Sequence, residues 1–128
     1  MSDLRPVGVP VMVDGVERHL LFTLNVIDKL QEHFDKSLEE IIDLLTERKH
    51  ANKTLKTILI MLLEDEIERI EYEKGACELK RYTDREIGWI ITQDNVVDIT
   101  MAVLKAYGMS LPESEDEFPN MESGTMSR

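Results

Sequence analysis

At 128 residues, 42% apolar and 32% charged, the chain has the length and composition of one folded domain with a single core. Its 26 acidic residues outweigh 15 basic ones for a net charge of -11, which repels phosphate backbones and anionic membrane surfaces and argues against binding nucleic acid or membrane. The longest apolar run, residues 58–63, falls far short of the ~20 that span a bilayer, and the lone Cys77 allows no internal disulfide.

The opening "MSDLRPVG" lacks the apolar stretch of a secretory signal, so a cytoplasmic protein with a flexible start over residues 1–8 is expected. Val9, Val11 and Val13 then alternate with Pro10 and Met12, which is strand periodicity. Asp14-Gly15 suits a tight type I′ turn into a return strand over residues 16–22. One face of that strand carries Val16, Leu20 and Phe22, interrupted by Arg18; the other carries Glu17, His19 and Leu21. Pro10 has no amide donor, which marks an edge strand. A lone hairpin is marginal in water and must lie against the helices.

Thr23 or Asn25 can cap a first helix carrying Leu24, Ile27, Leu30 and Phe34 at spacings of three and four. "SLEE" is a capping box, Ser37 with Glu40, opening a second helix that buries Leu38, Ile41, Ile42 and Leu45. After the break "ERKHANK", with Asn52 as cap, a third helix over residues 53–73 is apolar nearly all round in "LKTILIMLL" and charged in "EDEIERIEYEK". Ile60, Leu63, Ile67 and Ile70 recur along it at spacings of three, four and three, a helix-pairing seam. The stripe is the candidate partner interface; the alternative is that it packs against the domain's own helices. Asp65, Arg69 and Glu73 are spaced for i,i+4 pairs on the wet side.

Gly75 stops this helix, and "TDRE" is a second capping box, Thr83 with Glu86, for a short helix containing Ile87, Trp89, Ile90 and Ile91. Thr92 or Asp94 caps a last helix with Val96, Val97, Ile99, Val103 and Leu104 inside, ending at Gly108. From residue 112 the pattern collapses into an acidic tail that carries -4 of the charge and is expected to be disordered. The expected fold class is mainly α (α+β): an N-terminal β-hairpin followed by about five helices in a small bundle, one domain over residues 9–111.

No catalytic or cofactor equipment is legible. His19, His33 and His50 are not spaced as metal ligands, and there is no phosphate loop, dinucleotide fingerprint or nucleophile elbow. Cys77 has no neighbouring base to activate it. Glu64-Asp65-Glu66 lacks the alternating ligands and glycine of a calcium loop and reads as a solvated helix face. Trp89 reads as core. The last two helices could suggest a helix-turn-helix reader, but the second offers Asp94 and Asp98 where a recognition helix needs donors.

"VDGVERHLLFTLNVIDKLQEHFDKSLEEIIDLL" resembles the front of the tail assembly chaperones of siphovirus-type bacteriophages. Those begin with a short hairpin around a turn such as Asp-Gly, continue through an apolar strand ending in Phe, and run through a helix to a Lys-Ser-Leu step, here Lys36-Ser37-Leu38. "YTDREIGWIITQDNVVDITMAVLKAYG" is similar to the family's closing helix pair, so the likeness spans residues 9–108 around a generic centre.

The resemblance implies a non-enzymatic protein of the host cytoplasm, absent from the mature virion and without a cofactor. It would bind and solubilise the tape measure protein, help recruit tail tube subunits and self-associate weakly. In that family a frameshifted longer form often contacts the tail tube protein. The readings to weigh against it are a structural tail-completion or connector protein of the virion, and a small regulatory adaptor that binds a host protein.

Overall fold

The computed structural model describes residues 7–111. The acidic tail at 112–128, and all of the expected flexible start except Val7 and Gly8, lie outside the described residues. Within them an N-terminal antiparallel hairpin is followed by five α-helices, as the sequence patterning implies.

Strands β1 (Val9–Val13) and β2 (Val16–Leu20) pair with Val13 opposite Val16 and Val9 opposite Leu20. Asp14 and Gly15 take φ of 56° and 79°, positive at both turn positions, which is the turn whose twist matches the strands. A two-residue loop makes Val13 and Val16 a hydrogen-bonded pair, and bonded pairs alternate from there. The amide of His19 therefore points away from β1. Val9, Val13 and Leu20 are buried on the inner face, and Arg18 is buried beside them.

Helix α1 (Leu24–Phe34) starts at Thr23, whose hydroxyl accepts from the Val26 amide at 3.3 Å, and ends on Asp35 in the left-handed region. Helix α2 (Leu38–Asp43) and helix α4 (Asp84–Ile90) open with the two capping boxes. In each the N-cap amide, Ser37 or Thr83, donates to the carboxylate three residues on and helps hold Glu40 or Glu86 below the ordinary carboxylate pKa. A 3-10 turn, Leu44–Thr46, leads to helix α3 (Ala51–Lys74). Helix α3 begins after His50 with no side-chain cap, so Asn52 lies inside it rather than capping it, and Gly75, at φ 84°, ends it. Helix α5 (Val96–Met109) also starts without a side-chain cap and runs through Gly108.

The core is built on α3. Leu55, Leu59 and Leu62 meet Val26 and Leu30 of α1, Ile41 and Ile42 of α2, Ile87 of α4, and Ile99 and Val103 of α5 in one buried cluster with the hairpin. Helix α5 packs on β1, while β2 and α1 pack on α3. Three expected core residues face outward: Leu24, Trp89 and Val97 are 78%, 71% and 66% exposed. Trp89 follows buried Ile87 by two residues, a rotation of about 200° that puts the two on opposite sides of α4. The core face of α1 centres on Val26 and Leu30, and Leu24, two residues before Val26, falls on the far side.

The connector between α3 and α4 is tied down by the hairpin. The Tyr82 phenol donates to the Asp14 carboxylate at 3.1 Å, and burial followed by that hydrogen bond raises the phenol's pKa above its ordinary value. A raised folded-state pKa means stability that is complete below the unfolded value and lost as pH rises through the folded one. Tyr82→Phe should cost about 0.5–1.5 kcal/mol near pH 8. That deficit should shrink above about pH 10, where Tyr82 ionises in the unfolded chain while the folded phenol is still held protonated beside Asp14. Urea midpoints of both proteins across this range check the prediction.

Candidate functional site

The expected seam on α3 is divided between core and surface. Leu63 and Ile67, at 2% and 1% exposure, are sealed inside the monomer, which corrects their assignment to a partner interface. Ile60 is half-buried against the core, and only Ile70 reaches an open site. The reason is the face that α3 turns inward. Leu55, Leu59, Leu62 and Glu66 recur at spacings of four and three as a buried row, and Leu63 and Ile67 lie beside it on the same inward side. The row's leucines fill the core; its last residue is ionic.

Glu66, at 4% exposure, receives Arg18 there. Arg18 Nε donates to Glu66 Oε1 at 2.7 Å, Nη2 to the Leu63 carbonyl at 3.0 Å and Nη1 to the Lys80 carbonyl at 3.4 Å. The other Glu66 oxygen accepts the His19 amide at 3.1 Å, the amide that the hairpin register turns outward, and lies 3.2 Å from His19 Nδ1. His19 Nε2 lies 3.2 Å from Glu17 Oε2. One guanidinium thus ties the hairpin, α3 and the α3–α4 connector together.

Asp65 is equally buried at 4% and accepts from Thr23 Oγ1 at 3.1 Å and from Arg69 Nε at 3.0 Å. The acidic run is therefore not a solvated face: Asp65 and Glu66 are internal ion-pair partners, and the Asp65–Arg69 pair is not on the wet side. Arg69 Nη2 is buried and has no hydrogen-bond partner among the described residues.

Between these two ion pairs and the start of α1 lies an open groove of about 700 Å³. One wall is Val7, Leu21, Phe22 and Asn25; the other is the second half of α3, with Arg69, Ile70 and Tyr72. Tyr72 is 85% exposed. Asp65 and Glu66 are paired with Arg69 and Arg18, and Glu68, whose carboxylate lies 3.9 Å from Lys29, and Glu73 also line the groove. Such a groove, with apolar side chains on both walls, suits an apolar segment.

Among the described residues no group of three or more His, Cys, Asp or Glu side chains could hold a metal ion, and no helix is long and apolar enough to cross a membrane. No family model, curated protein or solved structure matches the chain.

Two features were missed by sequence reasoning, and both left a trace. Arg18 breaks an apolar strand face, and Glu66 continues the Leu55, Leu59, Leu62 row of α3. Opposite charges placed on two core-directed faces are the signature of a buried pair.

Proposed function

We propose that the chain is a tail assembly chaperone of the siphovirus type, which holds amphipathic helices of the tape measure protein in the groove beside Ile70. The observation that carries this reading is the groove itself: an apolar wall at Leu21, Phe22 and Ile70 beside the Arg18–Glu66 and Asp65–Arg69 ion pairs of the fold. Those ion pairs position the walls of the groove, which supports a binding role. Helix-in-groove binding needs an apolar stripe on the client. The net charge of -11 would keep a coated client soluble by mutual repulsion. Many weak contacts along one long client give avidity and still release each copy as the tail tube grows.

On this reading the protein acts in the host cytoplasm and is left out of the virion, and contact with the tail tube protein belongs to a longer, frameshifted form. The test is co-expression with the tape measure protein encoded beside it. The client should become soluble and co-purify with the chain, and mass spectrometry of purified particles should find the chain absent. Unchanged client solubility without co-purification would defeat the proposal. Stoichiometric presence in particles would favour a tail-completion protein instead.

A further inference from the structure

Helix α5 is apolar on two faces. Ile99, Ala102, Val103 and Ala106 turn inward onto the hairpin and core. On the opposite side Val97, Met101, Leu104 and Gly108 follow one another at spacings of four, three and four. Val97 and Met101 are 66% and 60% exposed, and Leu104 is half-buried. A helix that is apolar all round belongs under cover, and this spacing is the seam of a helix pair.

The flank of the seam says what covers it. Asp98 and Lys105 lie seven residues apart, two turns or about 10.5 Å, on the same side of the helix. Both are exposed, and neither has a hydrogen-bond or ion-pair partner among the described residues. We propose that this face binds the same face of a second copy, α5 against α5 and antiparallel about a two-fold axis. That symmetry reverses one helix and keeps its flank on the same side, so Asp98 of each copy meets the partner's Lys105. A parallel pair would place Asp98 against the uncharged flank of Thr100 and Tyr107 and leave both charges unmatched.

Gly108 fits the same arrangement. It sits inside the helix, where glycine weakens helical structure, and a Cβ there would meet nothing among the described residues. In the antiparallel register it lies opposite the partner's Val97, where a side chain would hold the helices apart. The seam is short, about 21 Å for 14 residues, and offers only one helix face to the partner. The dimer is therefore weak and reversible. No residue of α5 lines the groove beside Ile70, so this inference stands apart from the client reading.

Sedimentation equilibrium of the full chain from about 10 μM to 1 mM, with circular dichroism to monitor folding, tests it. The wild-type chain should dimerise, and Met101→Glu should abolish dimerisation with helicity unchanged. Asp98→Lys alone and Lys105→Asp alone should each weaken the dimer about tenfold or more, by facing like charges. The double exchange, Asp98→Lys with Lys105→Asp, should restore it. Mixing the two single variants should give a heterodimer tighter than either homodimer, because both facing pairs are then opposite in sign. A wild-type chain that stays monomeric at the highest concentration, a dimer indifferent to Met101→Glu, or a double exchange that stays as weak as the singles would each overturn the proposal.

Discussion

Arg18→Ala should destabilise the fold by about 3–5 kcal/mol, and Glu66→Ala by a similar amount, read as shifts in the urea or thermal midpoint. Removing Arg18 strands the Glu66 carboxylate at 4% exposure and takes the donors from the Leu63 and Lys80 carbonyls. Removing Glu66 strands a guanidinium at 1% exposure and leaves the His19 amide without its acceptor. Either loss is a large share of the ~5–15 kcal/mol that holds a domain together. Arg18→Met combined with Glu66→Leu should cost less than either single change, since the two apolar side chains fill the space without burying a charge. Single costs below about 1 kcal/mol, or a double variant whose cost is the sum of the singles, would show that the pair does not join the hairpin to α3.

The parts of the fold legible in the sequence are those whose cause is local. The Asp14-Gly15 turn, the Thr23 cap and the boxes at Ser37–Glu40 and Thr83–Glu86 form as read, because each needs only residues within one turn of one another. What local pattern could not fix is the direction in which each helix faces. Helix α3 has enough apolar residues in its first half to satisfy several stripes, and only packing on β2 decides that the row through Leu62 and Glu66 turns inward. The same ambiguity put Trp89 and Val97 inside. In an α5 rich in Val, Ile and Ala, periodicity does not distinguish the core face from a second apolar face. Of the candidate site, sequence reading found Ile70 but not the groove, because the opposite wall comes from Leu21, Phe22 and Asn25, about fifty residues away in the chain.

Ile67→Asp and Ile70→Asp, three residues apart on the same helix, should therefore behave in opposite ways. Ile67 is 1% exposed, so a carboxylate there is buried without a counter-charge and the apolar contacts of the isoleucine are lost as well. A cost above about 4 kcal/mol is expected, enough to unfold much of the population and to remove client binding only as a consequence. Leu63→Asp should do the same. Ile70 lies on the wall of the open groove, where water can solvate the new charge, so stability should change by less than about 1 kcal/mol. Binding should respond differently. On the proposed function, a carboxylate on the apolar wall removes contact area where a client's stripe would sit, and co-purification of the tape measure protein should fall about tenfold or more. The readouts are a denaturation midpoint and client yield for each variant. A folded Ile70→Asp protein that retains the client in full would remove the groove from the mechanism, because its wall would then carry a charge at no loss of binding.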